Sequence, residues 1–121
     1  MRIGVDLDGC LADFNHGYTI LLEDLTGLEL PAVSETWPST WDWPDLLVPA
    51  GVTKQHETAA WGTIMEGSRG FWRYLRPLKG AELALARLKH LRNEGHDVYF
   101  ITARPGHRAK EQSEEWLKYW G

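Results

Sequence analysis

Two short apolar runs, residues 2–7 and 97–102, stand near opposite ends of a 121-residue chain, and each passes into a polar turn followed by a helix-like stretch. Strands separated by helices run parallel, because a parallel pair needs a crossover connection. The order strand, helix, insert, helix, strand, helix therefore predicts an α/β fold. The later run, Asp97-Val98-Tyr99-Phe100-Ile101-Thr102, is apolar without alternation, which predicts a parallel strand covered on both faces. Roughly seventy residues beyond a minimal crossover separate the two runs. That surplus predicts a small, mostly helical cap over residues 28–75, inserted into a core made of residues 1–27 and 76–121.

The helices are marked by caps and apolar spacing. Asp13 is a candidate N-cap for a helix with Phe14, Tyr18, Leu21, Leu22 and Leu25 on one face, and Gly27 ends it. From Leu28 to Gly51 the pattern breaks up around Pro31, Pro38, Pro44 and Pro49, with Trp37, Trp41 and Trp43 among them, which predicts irregular but packed structure. Thr53 caps a second helix reaching about Glu66, with Ala60, Ile64, Trp61 and Met65 inward. A third runs from about Gly80 to Glu94 with a stripe of Ala84, Leu88 and Leu91, and Gly95 stops it. The last, about His107 to Tyr119, buries Ala109, Trp116 and Trp120.

Composition narrows the function classes. Thirteen Lys and Arg against seventeen Asp and Glu give a formal charge of -4, and no basic cluster follows a nucleic-acid backbone, so a polymeric nucleic-acid partner is not expected. No stretch has the length of a membrane span, and the first residues lack the pattern of a secretory signal. Cys10 is the single cysteine, so neither a disulfide framework nor a thiolate metal cluster is expected, and a reducing cytoplasm is the simplest location. The five histidines stand at no metal-ligand spacing.

The chemistry is concentrated where the first strand gives out, in Asp6-Leu7-Asp8-Gly9-Cys10. Side chains two apart on extended backbone point the same way, so both carboxylates can serve one spot beyond the strand's carboxyl end, where ligands of α/β sheets sit. One carboxylate, Asp6, can attack phosphorus while Asp8 handles the proton of the leaving alcohol and then of water. Thr102, at the end of the other strand, can donate to a phosphoryl oxygen, and backbone amides such as that of Ala103 can take others. Two carboxylates repel a phosphate, so Mg2+ is expected to screen them. Arg104 either meets the substrate phosphate or shields the turn. Cys10 has no base near it in sequence and is read as a small packed side chain.

Asp6-Leu7-Asp8-Gly9-Cys10-Leu11-Ala12-Asp13-Phe14 resembles the first motif of the haloacid dehalogenase-like phosphohydrolases, and Phe100-Ile101-Thr102-Ala103 resembles their second. The 5'(3')-deoxyribonucleotidase branch is the nearest in pattern, through Gly70-Phe71-Trp72, Leu75, Pro77, Gly80-Ala81 and the closing Glu115-Trp116-Leu117-Lys118-Tyr119-Trp120-Gly121. The resemblance implies a Rossmann-like core with an inserted cap and hydrolysis of phosphate monoesters, nucleoside 5'-monophosphates above all, through an aspartyl-phosphate. It implies Asp6 as nucleophile and Asp8 as acid/base, with Mg2+ held by the Asp6 carboxylate and the Asp8 main-chain carbonyl. It implies Thr102 and Ala103 at the phosphate, and Phe14, Phe71 and Trp72 at the nucleobase, whose faces stack on aromatic rings.

The family's Lys on a third strand and its acidic pair after a fourth are expected beyond Gly121. Lys110 is a possible stand-in, although its position also fits a solvated helix face. A two-stranded parallel sheet has open edges. The alternatives are therefore a piece of a longer enzyme, a homo-oligomer or complementary chain that covers the edge, and a binding module for nucleotide or phosphate without turnover.

Overall fold

A computed structural model of the chain describes residues 1–31 and 47–121. The packing expected around Trp37, Trp41 and Trp43 falls outside them. The elements are β1 (Arg2–Asp6), α1 (Phe14–Thr26), α2 (Lys54–Glu66), α3 (Ala81–Asn93), β2 (Asp97–Ile101) and α4 (Ala109–Trp120). β1 and β2 pair in parallel, with Arg2 opposite Asp97 and Asp6 opposite Ile101, so both strands finish at the same end. The fold is α/β, and its described residues are consistent with part of a Rossmann-like core.

Local chemistry accounts for most boundaries. The Asp13 side chain accepts the His16 amide at 3.2 Å, and Gly27, at φ 74°, closes α1 in the left-handed conformation that glycine adopts without steric cost. α2 opens with a reciprocal cap: Thr53 Oγ1 accepts the His56 amide, and His56 Nδ1 accepts the Thr53 amide. Here a histidine fills the place usually held by Glu or Gln.

The core runs from Leu7, Leu11 and Leu22 through Ile64 and Trp72 to Trp116, all buried. Trp116 Nε1 donates to the Leu75 carbonyl at 2.7 Å, so the largest buried side chain also satisfies its polar atom. Gln112 does the same for two chain segments, accepting the Trp72 amide at 3.2 Å and donating to the Gly67 carbonyl at 2.8 Å.

Several expectations about burial are corrected. β2 is not covered on both faces: Val98 and Phe100 are half-buried, whereas Tyr99 and Ile101 are 47% and 64% exposed. The covered face lies against α3 and α4, where Leu85, Leu88, Val98, Phe100 and Leu117 line one groove. On the open face Ile101 leans over Gly4, where an added Cβ would stand 2.8 Å from its Cδ1, so a larger residue there would require the exposed Ile101 side chain to swing aside. In α3 the fully buried positions are Ala81 and Leu85, while Ala84, Leu88 and Leu91 are half-buried, because that helix flanks the groove instead of a closed core. Leu25 and Met65 point outward at 41% and 46% exposure, and Trp120 is half-buried against Trp116 and Tyr119. Among the described residues no helix is long and apolar enough to cross a membrane.

Candidate active site

Beyond Asp6 the chain folds into a tight turn. The Leu7 carbonyl accepts the amides of Cys10, Leu11 and Ala12 at 3.4, 2.9 and 2.8 Å, and the Gly9 amide reaches back to the Ala12 carbonyl at 3.0 Å. Gly9 has φ 77°, a value that a side chain would strain. Two further backbone bonds, Leu78 N to Leu11 O at 2.8 Å and Asp13 N to Arg76 O at 2.9 Å, fasten the turn to the segment before α3. Arg76 Nε also donates to Asp13 Oδ2 at 2.9 Å, and the Asp13 side chain is 1% exposed. Asp13 is thus a cap and half of a buried ion pair.

The two acidic residues are held very differently. Asp6 is exposed at the end of β1, and its Oδ1 accepts the Leu7 amide at 2.8 Å. Asp8 is gripped by Arg104: Nε lies 3.2 Å from Oδ1 and 3.1 Å from Oδ2, and a terminal nitrogen lies 2.8 Å from Oδ1. The guanidinium is 1% exposed, donates to Ser113 Oγ at 3.0 Å, and lies 4.8 Å from the centre of the Trp72 ring. Cys10 is exposed, not the packed side chain expected of it; partial desolvation first, and then the charges of Asp6 and Asp8, push its thiol above its ordinary value. Both carboxylates therefore act on one neighbourhood, and that neighbourhood disfavours a thiolate nucleophile.

Thr102 and Ala103 follow β2 directly and are exposed. Because Ile101 is opposite Asp6, Thr102 emerges at the same end of the sheet as the candidate nucleophile. Its hydroxyl accepts the Arg104 amide at 3.3 Å, which leaves the hydroxyl proton available to an acceptor.

The three rings assigned to a base pocket come together. Phe14 stacks on Trp72 at 6.0 Å and meets Phe71 edge-on at 5.8 Å, while Phe71 and Trp72 are 5.0 Å apart. Tyr18 and Trp61 join them, at 5.4 and 5.7 Å from Phe14. Burial, with the Glu57 carboxylate second, raises the Tyr18 phenol to about 12. Trp72 belongs to both groups, since its ring carries the Arg104 guanidinium and its Nε1 donates to the Pro105 carbonyl at 3.2 Å.

Arg104 was the residue whose importance the sequence obscured. Its partner Asp8 lies 96 positions earlier, and no local spacing links the two. Of the two roles expected of it, shielding the turn is closer to what is found: its side chain is 1% exposed and bonds the Asp8 carboxylate. Lys110 is exposed on α4, in keeping with a solvated face.

The donor set bears on a metal. Among the described residues no group of three or more His, Cys, Asp and Glu side chains could hold an ion. Mg2+ asks for less, since it keeps several waters and is commonly held by one or two protein oxygens together with substrate phosphate. The exposed Asp6 carboxylate is one such hard oxygen donor. The Asp8 carbonyl is another, because the amides of Gly9 to Ala12 go to the Leu7 and Ala12 carbonyls and not to it. By donor chemistry, these two hard oxygens are of the kind that Mg2+ takes.

Comparison with known proteins gives a distant relative. No family model matches the chain. A Bacillus cereus protein named "Putative nucleotidase" is 26% identical over 121 residues, a match that takes in 97% of this chain and 57% of that protein. The chain thus spans little more than half the length of the relative it matches, and the comparison supports a nucleotidase-like relationship at that distance.

Proposed function

We propose that the chain carries the catalytic turn of a Mg2+-dependent phosphomonoesterase of the haloacid dehalogenase-like kind, acting on nucleoside 5'-monophosphates and deoxyribonucleotides in particular. One observation carries this reading: an exposed carboxylate, Asp6, ends β1 directly beside the end of β2 that bears Thr102, with an aromatic group containing Phe14, Phe71 and Trp72 on the adjoining elements. The nucleotidase name of the distant relative agrees with it. Residues 28–75 serve as the cap in this account, and they supply Phe71 and Trp72.

The steps follow from the groups in place. An Asp6 oxygen attacks phosphorus as the bond from phosphorus to the sugar oxygen breaks, and the protonated Asp8 carboxyl gives its proton to that departing oxygen. Water then attacks the aspartyl-phosphate, Asp8 takes its proton, and inorganic phosphate leaves with the Asp6 carboxylate restored. Thr102 and the Ala103 amide orient the phosphoryl oxygens. The Asp6 carboxylate and the Asp8 carbonyl would hold Mg2+, whose positive charge, when bound, would screen carboxylate from phosphate. The half-buried rings Phe14 and Phe71 are the ones that can offer apolar surface to a base, while Trp72, 2% exposed with Arg104 over its ring, backs them from the core.

The test is phosphate release from deoxyribonucleoside 5'-monophosphates by the 121-residue chain with Mg2+, compared with Asp6→Asn. The expected outcome is turnover that the substitution lowers by at least about a thousandfold, the scale reported when a nucleophile is removed. Full activity in Asp6→Asn would refute the assigned nucleophile. A second reading is favoured by the open face of β2: a module that binds nucleotide without turnover, or one that works only with a complementary chain or second copy along the sheet edge. Saturable nucleotide binding with no phosphate release would select that reading.

A further inference from the structure

We infer that Gln112 is a positioning residue for base selectivity: reaching out of α4, its side-chain amide sets where the loop after α2 carries Phe71, and with it the surface a nucleobase meets. The inference rests on the nucleotide-hydrolase reading above. Gln112 is 2% exposed, and both ends of its amide are engaged. Its Oε1 accepts the Trp72 amide at 3.2 Å while its Nε2 donates to the Gly67 carbonyl at 2.8 Å, so one side chain grips both ends of the loop 67–72. A backbone amide can only donate and a carbonyl only accept, which fixes the way round that Gln112 sits. The buried bridge resists displacement of either end, because a shift would strand a polar atom without a partner.

The grip passes to Phe71 through its neighbour. Trp72 is 2% exposed and is held at three points by the chain that follows β2: its amide by Gln112, its Nε1 by the Pro105 carbonyl at 3.2 Å, and its ring by the Arg104 guanidinium at 4.8 Å. The same stretch meets the end of α2, where the His107 amide donates to the Met65 carbonyl at 3.3 Å. Phe71 is half-buried, with its ring edge-on to Trp72 at 5.0 Å and to Phe14 at 5.8 Å, so the place of its accessible surface follows from the place of Trp72. Both Gln112 bonds go to this loop and neither to the turn after β1, so its effect falls on base recognition and spares the phosphoryl step.

Two substrates with the same reacting phosphate separate that effect from a general loss of structure: a deoxyribonucleoside 5'-monophosphate, and deoxyribose 5-phosphate, which has no base. In Gln112→Met, which keeps the length and loses both hydrogen bonds, kcat/KM should fall roughly tenfold or more on the nucleotide and less than about threefold on the sugar phosphate. Phe71→Leu should lower the same ratio, and adding Gln112→Met to it should lower the ratio by less than about twofold further, since the two substitutions act through one ring. If Gln112→Met does not fold, Gln112→Glu takes its place: it keeps an acceptor for the Trp72 amide and, when ionised, lacks the donor to Gly67, so a smaller loss of the same pattern is expected. Equal losses on both substrates, no loss, or full additivity with Phe71→Leu would overturn the inference and leave the hydrolase reading standing. A parent that turns over both substrates equally well would remove the base pocket and this inference together. Absence of turnover in the unsubstituted chain would overturn the hydrolase reading itself, and this inference with it.

Discussion

The wall of the site and its rim are built on opposite terms. Along the wall, from Asp13 through Trp72 to Trp116, buried polar atoms have named partners: Arg76 for Asp13, the Pro105 carbonyl for Trp72 Nε1, and the Leu75 carbonyl for Trp116 Nε1. At the rim the β1–β2 pair has one face toward α3 and α4 and one open, with Ile101 64% exposed. Asp8 belongs to the wall through Arg104, and Asp6 and Thr102 belong to the rim. Precision comes from the satisfied interior, and access from the uncovered edge. In the proposed reaction, the group that must hold one orientation is the anchored one, and the group that must meet substrate is the exposed one.

Substitutions on either side can break that contrast. Trp116→Ala removes a fully buried ring and its hydrogen bond, and should cost about 3–5 kcal/mol in denaturant unfolding. Ile101→Ala, on the open face, should change stability by no more than about 0.5 kcal/mol. Comparable losses at the two positions would mean that the open face is covered in solution, which is what a partner or second copy along the sheet predicts. Asp13→Ala comes next, at about 2–4 kcal/mol, because it removes the α1 cap and leaves Arg76 without its buried carboxylate. A loss of less than about 1 kcal/mol would reduce Asp13 to a cap.

A gentler effect should appear at high pH. The Tyr18 phenol is raised from 10.0 to about 12 by burial and by Glu57, so between those values the unfolded chain releases a proton that the folded chain retains. Fewer protons on the unfolded state means that stability falls as pH rises. Tyr18 therefore contributes fully below pH 10, and its contribution drains away between pH 10 and about 12. Tyr18→Phe should flatten that part of the stability curve; an unchanged slope would place the phenol in water.

The sequence made the elements legible because their signals are local. Asp13, Gly27, Thr53 and Gly95 each act within a few residues: the first three cap helices directly, and Gly95, at φ 100°, follows the Glu94 cap of α3. The meeting of the candidate site residues was legible in outline for the same reason, since Asp6 ends one apolar run and Thr102 follows the other, and the two strands finish together. What the sequence withheld is long-range. Arg104 finds Asp8 across 96 positions and Arg76 finds Asp13 across 63, and neither pairing leaves a spacing to detect. The unbroken apolar character of β2 led to a covered strand, whereas exposure of Tyr99 and Ile101 depends on which elements are present to pack on them.

Asp6 bonding to phosphorus is the claim on which the chemistry turns, and an acyl phosphate can be trapped. The chain is mixed with a deoxyribonucleoside 5'-monophosphate and Mg2+, quenched in acid and reduced with borohydride, and the peptide spanning residues 3–14 is sequenced by mass spectrometry. The account predicts homoserine in place of Asp6, the product of reducing an aspartyl-phosphate. Phosphate release with Asp6 unmodified, or homoserine at Asp8, would contradict it.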